Sequence, residues 1–553
     1  MKTNTWYVAD FETTNYDYYL NNGCTRVWLW AVCDNNAEIT KYGTDIETFI
    51  VYLKSLYGKS IYFHNLKFDG SFILDYLVNN GYEYYEDLTK VNRGFSCLIG
   101  EMGEFYSMTI KFTRGKQVHL YDSLKLLPFK VSKIAKDFNL PIMKEHIDYS
   151  IYEVNEETLS YIFHDVKIIA MALAKIKEEG MTKMTTASCA YNQYSLLKGN
   201  DYLANNYPQL DDTLLENFRN AYRGGRSQVN PVYASKILHN VRRYDINSMY
   251  PYIMHDMELP YGAPIRLAQP NQCKFEIYHI QVSFTLKDLH LPTLLKKGHL
   301  YAGDDTYYID TEGIEDIWIS SIDLELLFRN YDVSFLEYKE IYGFRTSKLL
   351  FYDYVDKWYS QKQIDKGAKK VIDKLMLNSL YGKFGSKHKG YHKIPVFDEV
   401  NCTIKYIKSP EEPMKHYYLP VAIAITSYAH LLIDNAIHTT GIENFVYCDT
   451  DSVHTLGTLP PEMVDNEKLG YFKLEDTEKT AKYVRQKCYV FDGSKGIEIT
   501  CAGMPDNVKQ AALTIYDKGI FNEFKTGFKM FGKLIPKRVK GGIVLYETTF
   551  EIK

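Results

Sequence analysis

Short runs that alternate apolar and polar positions punctuate residues 1–185, and between them lie stretches with apolar residues three and four apart. TWYVADF (5–11), SIYFHN (60–65) and VHLYDSL (118–124) read as strands, since a period of two puts every second side chain on one face. FILDYLVNNG (72–81) and LSYIFHDVKIIAMALAKIKEEG (159–180) read as helices. Strands alternating with helices predict an α/β layer domain, with a weak boundary at KMTTASCAYNQYS (183–195). From about Tyr222 the pattern loosens. A strand ending in RRYDINSMYP (242–251) precedes a long stretch of mixed β character. A single lysine-rich helix is predicted over 351–382, then a Lys- and Tyr-bearing segment from Lys387 to Tyr418, then a further helix. ENFVYCDTDSVHTLG (443–457) predicts a hairpin with Asp-Thr-Asp at its turn.

The length of 553 residues suggests three or four domains, and 46% hydrophobic with 24% charged residues suits a globular chain with large cores. The net charge of −4 gives no hint of a phosphate-rich partner. Local charge does. From Lys362 to Lys393 nine lysines face two acids, and from Lys525 to Leu545 six basic residues face none. Such runs are usually solvated faces; two of them flanking a carboxylate cluster are better explained by phosphate contacts. The 49 tyrosines fit AT-rich coding better than a surface of base-stacking platforms. The nine cysteines have no zinc spacing, and a reducing cytoplasm is expected. No signal peptide is expected before Asp10 and Glu12, and PVAIAITSYAHLLI (420–433) is too short for the ~20 residues of a membrane span.

Asp10 and Glu12 lie two apart on a strand, so both project from one face. Asn65, Phe68 and Asp69 follow the next strand, and Tyr161 and Asp165 share a helix face at i, i+4. Four carboxylates and a tyrosine from three segments match what phosphodiester hydrolysis needs: hard oxygen ligands for two Mg²⁺ ions about 3.5–4 Å apart. Acidic surface loops are the bland alternative, which does not account for carboxylates set among apolar strand residues such as Val8 and Phe11. Asp449 and Asp451 in the hairpin turn, with Asp245 ending another strand, form a second carboxylate set. Tyr250, just beyond Asp245, can lie beneath a sugar and exclude a 2′-hydroxyl. Lys374, Asn378, Tyr381 and Gly382 share one helix face, with Lys370 one turn and Lys362 three turns before Lys374. That stripe offers ammonium groups to a triphosphate, and Gly382 leaves room for a base beside Tyr381. An ordinary amphipathic helix is the alternative for this stretch taken alone.

These motifs resemble those of family B DNA polymerases. Asp-x-x-Ser-Met-Tyr-Pro at 245, Lys-x-x-x-Asn-Ser-Leu-Tyr-Gly at 374 and Tyr-Cys-Asp-Thr-Asp-Ser at 447 resemble polymerase motifs A, B and C, with Met249 where leucine is usual. Asp10/Glu12, Asn65-x-x-Phe68-Asp69 and Tyr161-x-x-x-Asp165 resemble the three 3′→5′ exonuclease motifs. The protein-primed branch of small tailed phages is the nearer likeness. Tyr222-Arg223-Gly224-Gly225 resembles its interdomain loop, and Lys487-Cys488-Tyr489 its primer-binding motif. Ser123-Leu124 and Lys144-x-x-Ile147 resemble its extra exonuclease motifs, and His64 and Phe72 its single-strand ligands.

The resemblance implies an α/β and α+β multidomain fold: an RNase H-like 3′→5′ exonuclease domain and a right-hand polymerase domain with two terminal-protein-region insertions. The implied domains are exonuclease 1–185, palm 186–256 and 420–501, terminal-protein region 1 at 257–349, fingers 350–385, terminal-protein region 2 at 386–419, and thumb 502–553. It implies two Mg²⁺ per active site, with Mn²⁺ able to substitute, held by Asp10, Glu12, Asp69 and Asp165 and by Asp245, Asp449 and Asp451. Tyr161 would orient the attacking water and Lys144 stabilise the scissile phosphate. Lys362, Lys370, Lys374, Asn378, Tyr250, Tyr381 and Gly382 would bind the incoming nucleotide. His64, Asn65, Phe68, Phe72, Ser123, Leu124, Tyr222, Gly224, Gly225, Thr450, Lys487 and Tyr489 would contact DNA. Implied partners are primer-template and single-stranded DNA, dNTPs and a separate terminal protein that primes a linear viral genome for strand-displacing synthesis. A monomer in the host cytoplasm, without membrane contact, is expected. Three rivals remain. A pure nuclease would not need the Asp-Thr-Asp hairpin, a reverse transcriptase would show Tyr-x-Asp-Asp and lack the exonuclease motifs, and a non-enzymatic DNA-binding scaffold would leave seven carboxylates idle.

Overall fold

The computed structural model describes residues 5–296, 306–415 and 417–553. Residues 297–305, within the expected first insertion, His416, within the second, and residues 1–4 lie outside the described residues. A seven-stranded mixed sheet organises the N-terminal third. Its core is the strand Trp6–Thr13, running parallel to Ser60–Phe63, which in turn runs parallel to Lys116–Asp122. The predicted alternation holds: Ala9 and Phe11 turn to one face, where Phe11 meets Phe49 and Phe63 edge-on at 4.7 and 5.2 Å. Val8 packs on the other face against the helix Glu156–Glu178, and Asp10 and Glu12 fall on that side too. That helix starts at a capping box, in which the Asn155 side chain accepts from the Thr158 N–H and Thr158 Oγ1 accepts from the Asn155 N–H.

A second seven-stranded sheet, antiparallel throughout, carries the later motifs. In spatial order its strands are Gly496–Cys501, Cys488–Gly493, Phe472–Arg485, Ile237–Ile246, Ser452–Thr455, Phe445–Asp449 and Ser227–Val229. The mixed-β stretch folds as a four-stranded sheet of Leu259–Arg266, Tyr331–Ser347, Phe275–Leu286 and Glu315–Ser320. Thr403–Lys408 pairs with Lys393–Asp398 in the following segment, and the chain closes with the hairpin Lys529–Val539 and Gly542–Glu551.

Two expectations are corrected. The predicted lysine-rich helix is two helices, Tyr352–Ile364 and Ala368–Phe384, packed against each other. Gly367, at φ +56° and ψ −133°, breaks it, because that backbone region is open almost only to glycine. The apolar stretch at 420 belongs to a 22-residue helix, Leu419–Thr440, long and apolar enough by composition to cross a membrane. Here it is a core element: Val421, Ile423, Ile425, Ala429, Ile433 and Ile437 are all buried in the largest hydrophobic cluster.

Candidate active sites

The first site forms where the strand Trp6–Thr13, the N-terminal turn of the helix Leu66–Asn79 and the helix Glu156–Glu178 converge. Burial, reinforced by the Asp165 charge, raises Asp10 to about 7. Burial and the Asp10 charge hold Glu12 and Asp69 well above the ordinary carboxylate range. The Lys144 ammonium binds Asp165 Oδ2 and sits 4.6 Å from the centre of the Tyr161 ring. Tyr161 itself is buried, and its hydroxyl shares a 2.9 Å hydrogen bond with that of Tyr149. No motif flags Tyr149; its part in the site comes from where the chain returns before the helix.

The expected strand-binding residues divide. Asn65, exposed at φ +78°, caps the helix, and its N–H donates to Asp122 Oδ1 at 3.0 Å, as does that of Leu124. His64 Nε2 donates to the Phe129 carbonyl at 2.8 Å, and its Nδ1 lies 3.0 Å from the buried Ser123 hydroxyl, which also reaches the Phe63 carbonyl at 3.0 Å. Phe68 stays half-exposed, with its ring 5.8 Å from that of Phe72. Phe72 is only 2% exposed, covered by the Gly541–Gly542 turn of the C-terminal hairpin, and presents no free face.

The second site sits on the antiparallel sheet. Register places Asp245 opposite Ser452, and the Ile246 N–H donates to the Asp451 carbonyl at 2.8 Å, so strand pairing alone brings the first aspartate to the hairpin turn. Burial and the Asp451 charge raise Asp245 to about 7, with Glu475 adding to the rise and Lys473 and Lys374 opposing it. Burial also raises Asp451. Asp449 takes the Lys487 ammonium at 2.6 and 2.7 Å, and the Tyr447 hydroxyl donates to its Oδ2 at 3.3 Å. Lys487 is aimed by a tight turn at φ +53°, with its N–H donating to the Tyr447 hydroxyl at 3.1 Å. Tyr489 stacks on Tyr483 behind it. Glu475 and Lys473 carry no sequence signal; Lys473 is found only through its register opposite Asp245.

The loop Tyr222–Gly225 lies directly on this turn. The Thr450 N–H donates to the Arg226 carbonyl at 2.7 Å, and a Cβ on Gly225 would meet Thr450 Oγ1 at 2.9 Å, so only glycine permits that approach. Gly224 is held through its carbonyl, 2.6 Å from His430 Nε2, and the Tyr222 hydroxyl lies against Gly385. Lys370, Lys374, Asn378 and Gly382 are exposed along one face of the helix Ala368–Phe384, whose other face buries Ile372, Met376, Leu377 and Leu380. Although Lys362 is on the other helix, the break at Gly367 folds it back. Its ammonium donates to Ser248 Oγ at 3.0 Å, and burial together with Lys374 and Lys370 lowers its pKa. Tyr250 and Tyr381 stack at 4.0 Å, and nothing lies within 4 Å of a Cβ built on Gly382.

Among the described residues, no group of three or more His, Cys, Asp or Glu is gathered closely enough to hold a metal ion as it stands. Lysines take part of that place, Lys144 on Asp165 and Lys487 on Asp449. The donor sets nevertheless fit a hard divalent cation: carboxylates crowd one another until their protons are held, and buried Asp165 Oδ1 has no hydrogen-bond partner. Crowding carries a cost that metal would relieve. Because Asp245 is raised from 3.8 to about 7, its burial penalty is absent below pH ~4 and complete above pH ~7. Asp245→Asn is therefore expected to stabilise the metal-free protein by about 2–4 kcal/mol at pH 8 and by nothing measurable at pH 4. Urea unfolding in EDTA at the two pH values checks this.

Comparison with known proteins places the chain. The family model described as DNA polymerase type B, organellar and viral, matches residues 55–155 and 150–468. The DNA polymerase of Bacillus phage phi29 is 35% identical over 587 residues, covering 99% of this chain and 99% of that one. That of Streptococcus phage Cp-1 is 33% identical over 590 residues, covering 99% and 98%. Among solved structures, phi29 DNA polymerase complexed with primer-template DNA matches with a TM-score of 0.91 at 33% identity, over 99% of this chain and 100% of that one. Its ternary complex with primer-template DNA and incoming nucleotides gives 0.90. The architecture is accordingly an RNase H-like exonuclease domain joined to a palm, fingers and thumb with two insertions. With the likeness running the length of the chain, the protein belongs to the family B DNA polymerases, in their phi29-type phage branch, which carries out DNA-directed DNA synthesis.

Proposed function

We propose that the chain extends DNA primers at the Asp245–Asp451 site and removes nucleotides from primer 3′ ends at the Asp10–Asp165 site. One observation carries this: two separate sets of crowded carboxylates each face their own lysine, Lys144 in one and Lys487 in the other. Magnesium, two ions per site and replaceable by manganese, would supply Lewis-acid activation of the attacking oxygen and charge stabilisation at the leaving oxygen. Asp10, Glu12, Asp69 and Asp165 would hold it in one site, and Asp245, Asp449 and Asp451 in the other.

The chain's own side chains do the rest. Lys362, Lys370 and Lys374 neutralise the triphosphate, with Asn378 on the same face. Stacked Tyr250 and Tyr381 form the wall beneath sugar and base, and open space at Gly382 admits the base edge. Lys487 exchanges Asp449 for a primer phosphate, with Tyr489, Thr450 and the Tyr222–Gly225 loop lining the strand. At the other site Tyr161, its hydroxyl oriented by Tyr149, holds the attacking water, and Lys144 moves from Asp165 to the scissile phosphate. Asn65, Phe68, His64, Ser123 and Leu124 frame the frayed 3′ end, while Phe72 joins them only when the Gly541–Gly542 turn lifts. The basic run Lys525–Lys540, most of it on the strand Lys529–Val539, grips duplex phosphates. We assign palm, fingers, thumb and insertions the boundaries expected from sequence. The insertion 257–349 seats a terminal protein whose hydroxyl starts each strand of a linear viral genome, and 386–419 helps close a ring around DNA for strand displacement. The enzyme would work as a monomer in the host cytoplasm.

The test is an end-labelled recessed primer with Mg²⁺, with and without dNTPs. Lengthening with dNTPs and shortening without them is expected; shortening alone would return the pure-nuclease reading. Tyr250→Val, which removes the ring beneath the sugar, is expected to raise ribonucleotide incorporation relative to deoxynucleotide by at least about 10²-fold, a discrimination of roughly 3 kcal/mol. Single-nucleotide kcat/KM ratios check it.

A further inference from the structure

All nine cysteines are free thiols, and two of them face each other across a hairpin. Cys488 on the strand Cys488–Gly493 is in register with Cys501 on Gly496–Cys501, and their sulfurs are 3.2 Å apart. The type of pairing matters. The Ala502 N–H donates to the Lys487 carbonyl at 2.8 Å, so 487/502 is a hydrogen-bonded pair and 488/501, next to it, is a non-hydrogen-bonded one. At such positions antiparallel strands bring Cα atoms to about 4.5 Å, inside the range a disulfide spans without moving the backbone.

We infer that Cys488 and Cys501 form a reversible, hydroperoxide-oxidised thiol pair that staples the hairpin carrying Lys487 and Tyr489. Cys501 is the attacking sulfur. It is 4% exposed where Cys488 is fully buried, and its hydrogen bond with the Cys488 thiol, helped by the Arg485 and Lys509 charges, favours its thiolate. The Cys501 thiolate attacks one peroxide oxygen, the O–O bond breaks, and hydroxide leaves to take up a proton as water. Cys488 then attacks the sulfenic sulfur, the S–O bond breaks, and a second water departs with the Cys488 proton. Two thiols and one hydrogen peroxide thus give one disulfide and two waters, and an added dithiol reverses the bond by exchange. The staple joins the strand behind Lys487, whose ammonium holds Asp449, to the strand that leads into the helix Asp506–Tyr516.

The significance for primer contacts rests on the function proposed above; the chemistry does not, so the readout is covalent. The folded, reduced, full-length protein is treated with an equivalent of hydrogen peroxide and mapped by mass spectrometry without reductant. The expected result is loss of two hydrogens, a peptide linking Cys488 to Cys501, full reversal by dithiothreitol, and amide exchange across 486–503 slowed by about tenfold in the oxidised form. In Cys488→Ser the bond is absent and dimedone traps a sulfenic acid on Cys501. Oxygen addition without the linked peptide, or both thiols remaining free while methionines oxidise, would overturn the inference, whether or not primers are extended.

Discussion

Asp451→Ala is expected to lower primer extension by at least about 10³-fold, some 4 kcal/mol of transition-state stabilisation, while 3′-end removal stays within about twofold. The reason is the company Asp451 keeps. It sits in the hairpin turn, bound through its backbone to Ile246, and its charge raises Asp245 beside it. Removing it takes away one of the three carboxylates proposed to hold metal and leaves Asp245 easier to ionise, so the expected loss comes from the missing carboxylate and not from the protonation of its neighbour. After burial and a backbone hydrogen bond, the charges that raise or lower Asp451 are Asp449, Lys487 and Lys374, none of which belongs to the other site. The fold should tolerate the change, because a crowded buried charge is lost and the backbone bonds that shape the turn remain. Single-turnover extension and degradation on one labelled primer, with a thermal melt, measure all three effects. A parallel loss of both activities without a drop in Tm would mean the two chemistries share a site.

The carboxylates were legible in the sequence because strand period and helix period are local properties. Asp10 and Glu12 share a face for the same reason that Ala9 and Phe11 share the opposite one, and Tyr161 and Asp165 follow from a helix with a clear cap. The hairpin at 449–451 was legible from its apolar flanks. What periodicity could not carry was anything decided by one backbone torsion or by distant contact. Gly367 reads as a tolerable glycine in a helix, yet its positive φ splits the stretch into the helices Tyr352–Ile364 and Ala368–Phe384 and returns Lys362 to Ser248 and Lys374. The apolar run at 420 stops at Ile433, before Asp434 and Asn435, yet the helix continues to Thr440, because Asp434 is buried there and ion-paired with Arg226 and Arg329. Phe72 matches a strand-binding position by motif, but the Gly541–Gly542 turn that covers it lies more than four hundred residues away. The lysine–carboxylate pairs at both sites are of the same kind: resemblance offers Lys144 for the scissile phosphate and Lys487 for the primer, whereas their hold on Asp165 and Asp449 is a property of the folded site.

That hold shapes the expected behaviour of the Asp10–Asp165 site, where, on the proposed function, Asp10→Ala should reduce 3′-end removal by at least about 10³-fold and leave extension within about twofold. In the native site Asp10 titrates at about 7 because burial and the Asp165 charge disfavour its ionised form. A divalent cation needs that form, so metal and proton compete for the same oxygens. At limiting Mg²⁺, degradation should therefore rise as pH increases through about 7, and saturating Mg²⁺ should move the rise to lower pH. Lys144 works against Asp10 protonation from across the site, so Lys144→Met should shift the limiting-Mg²⁺ profile to higher pH as well as slow the reaction. Rates of 3′-end removal across pH 5.5–9 at two Mg²⁺ concentrations check the argument. A profile indifferent to Mg²⁺ would show that the proton being titrated is not the one that metal displaces, and would move the pH dependence from Asp10 to a group outside the carboxylate cluster.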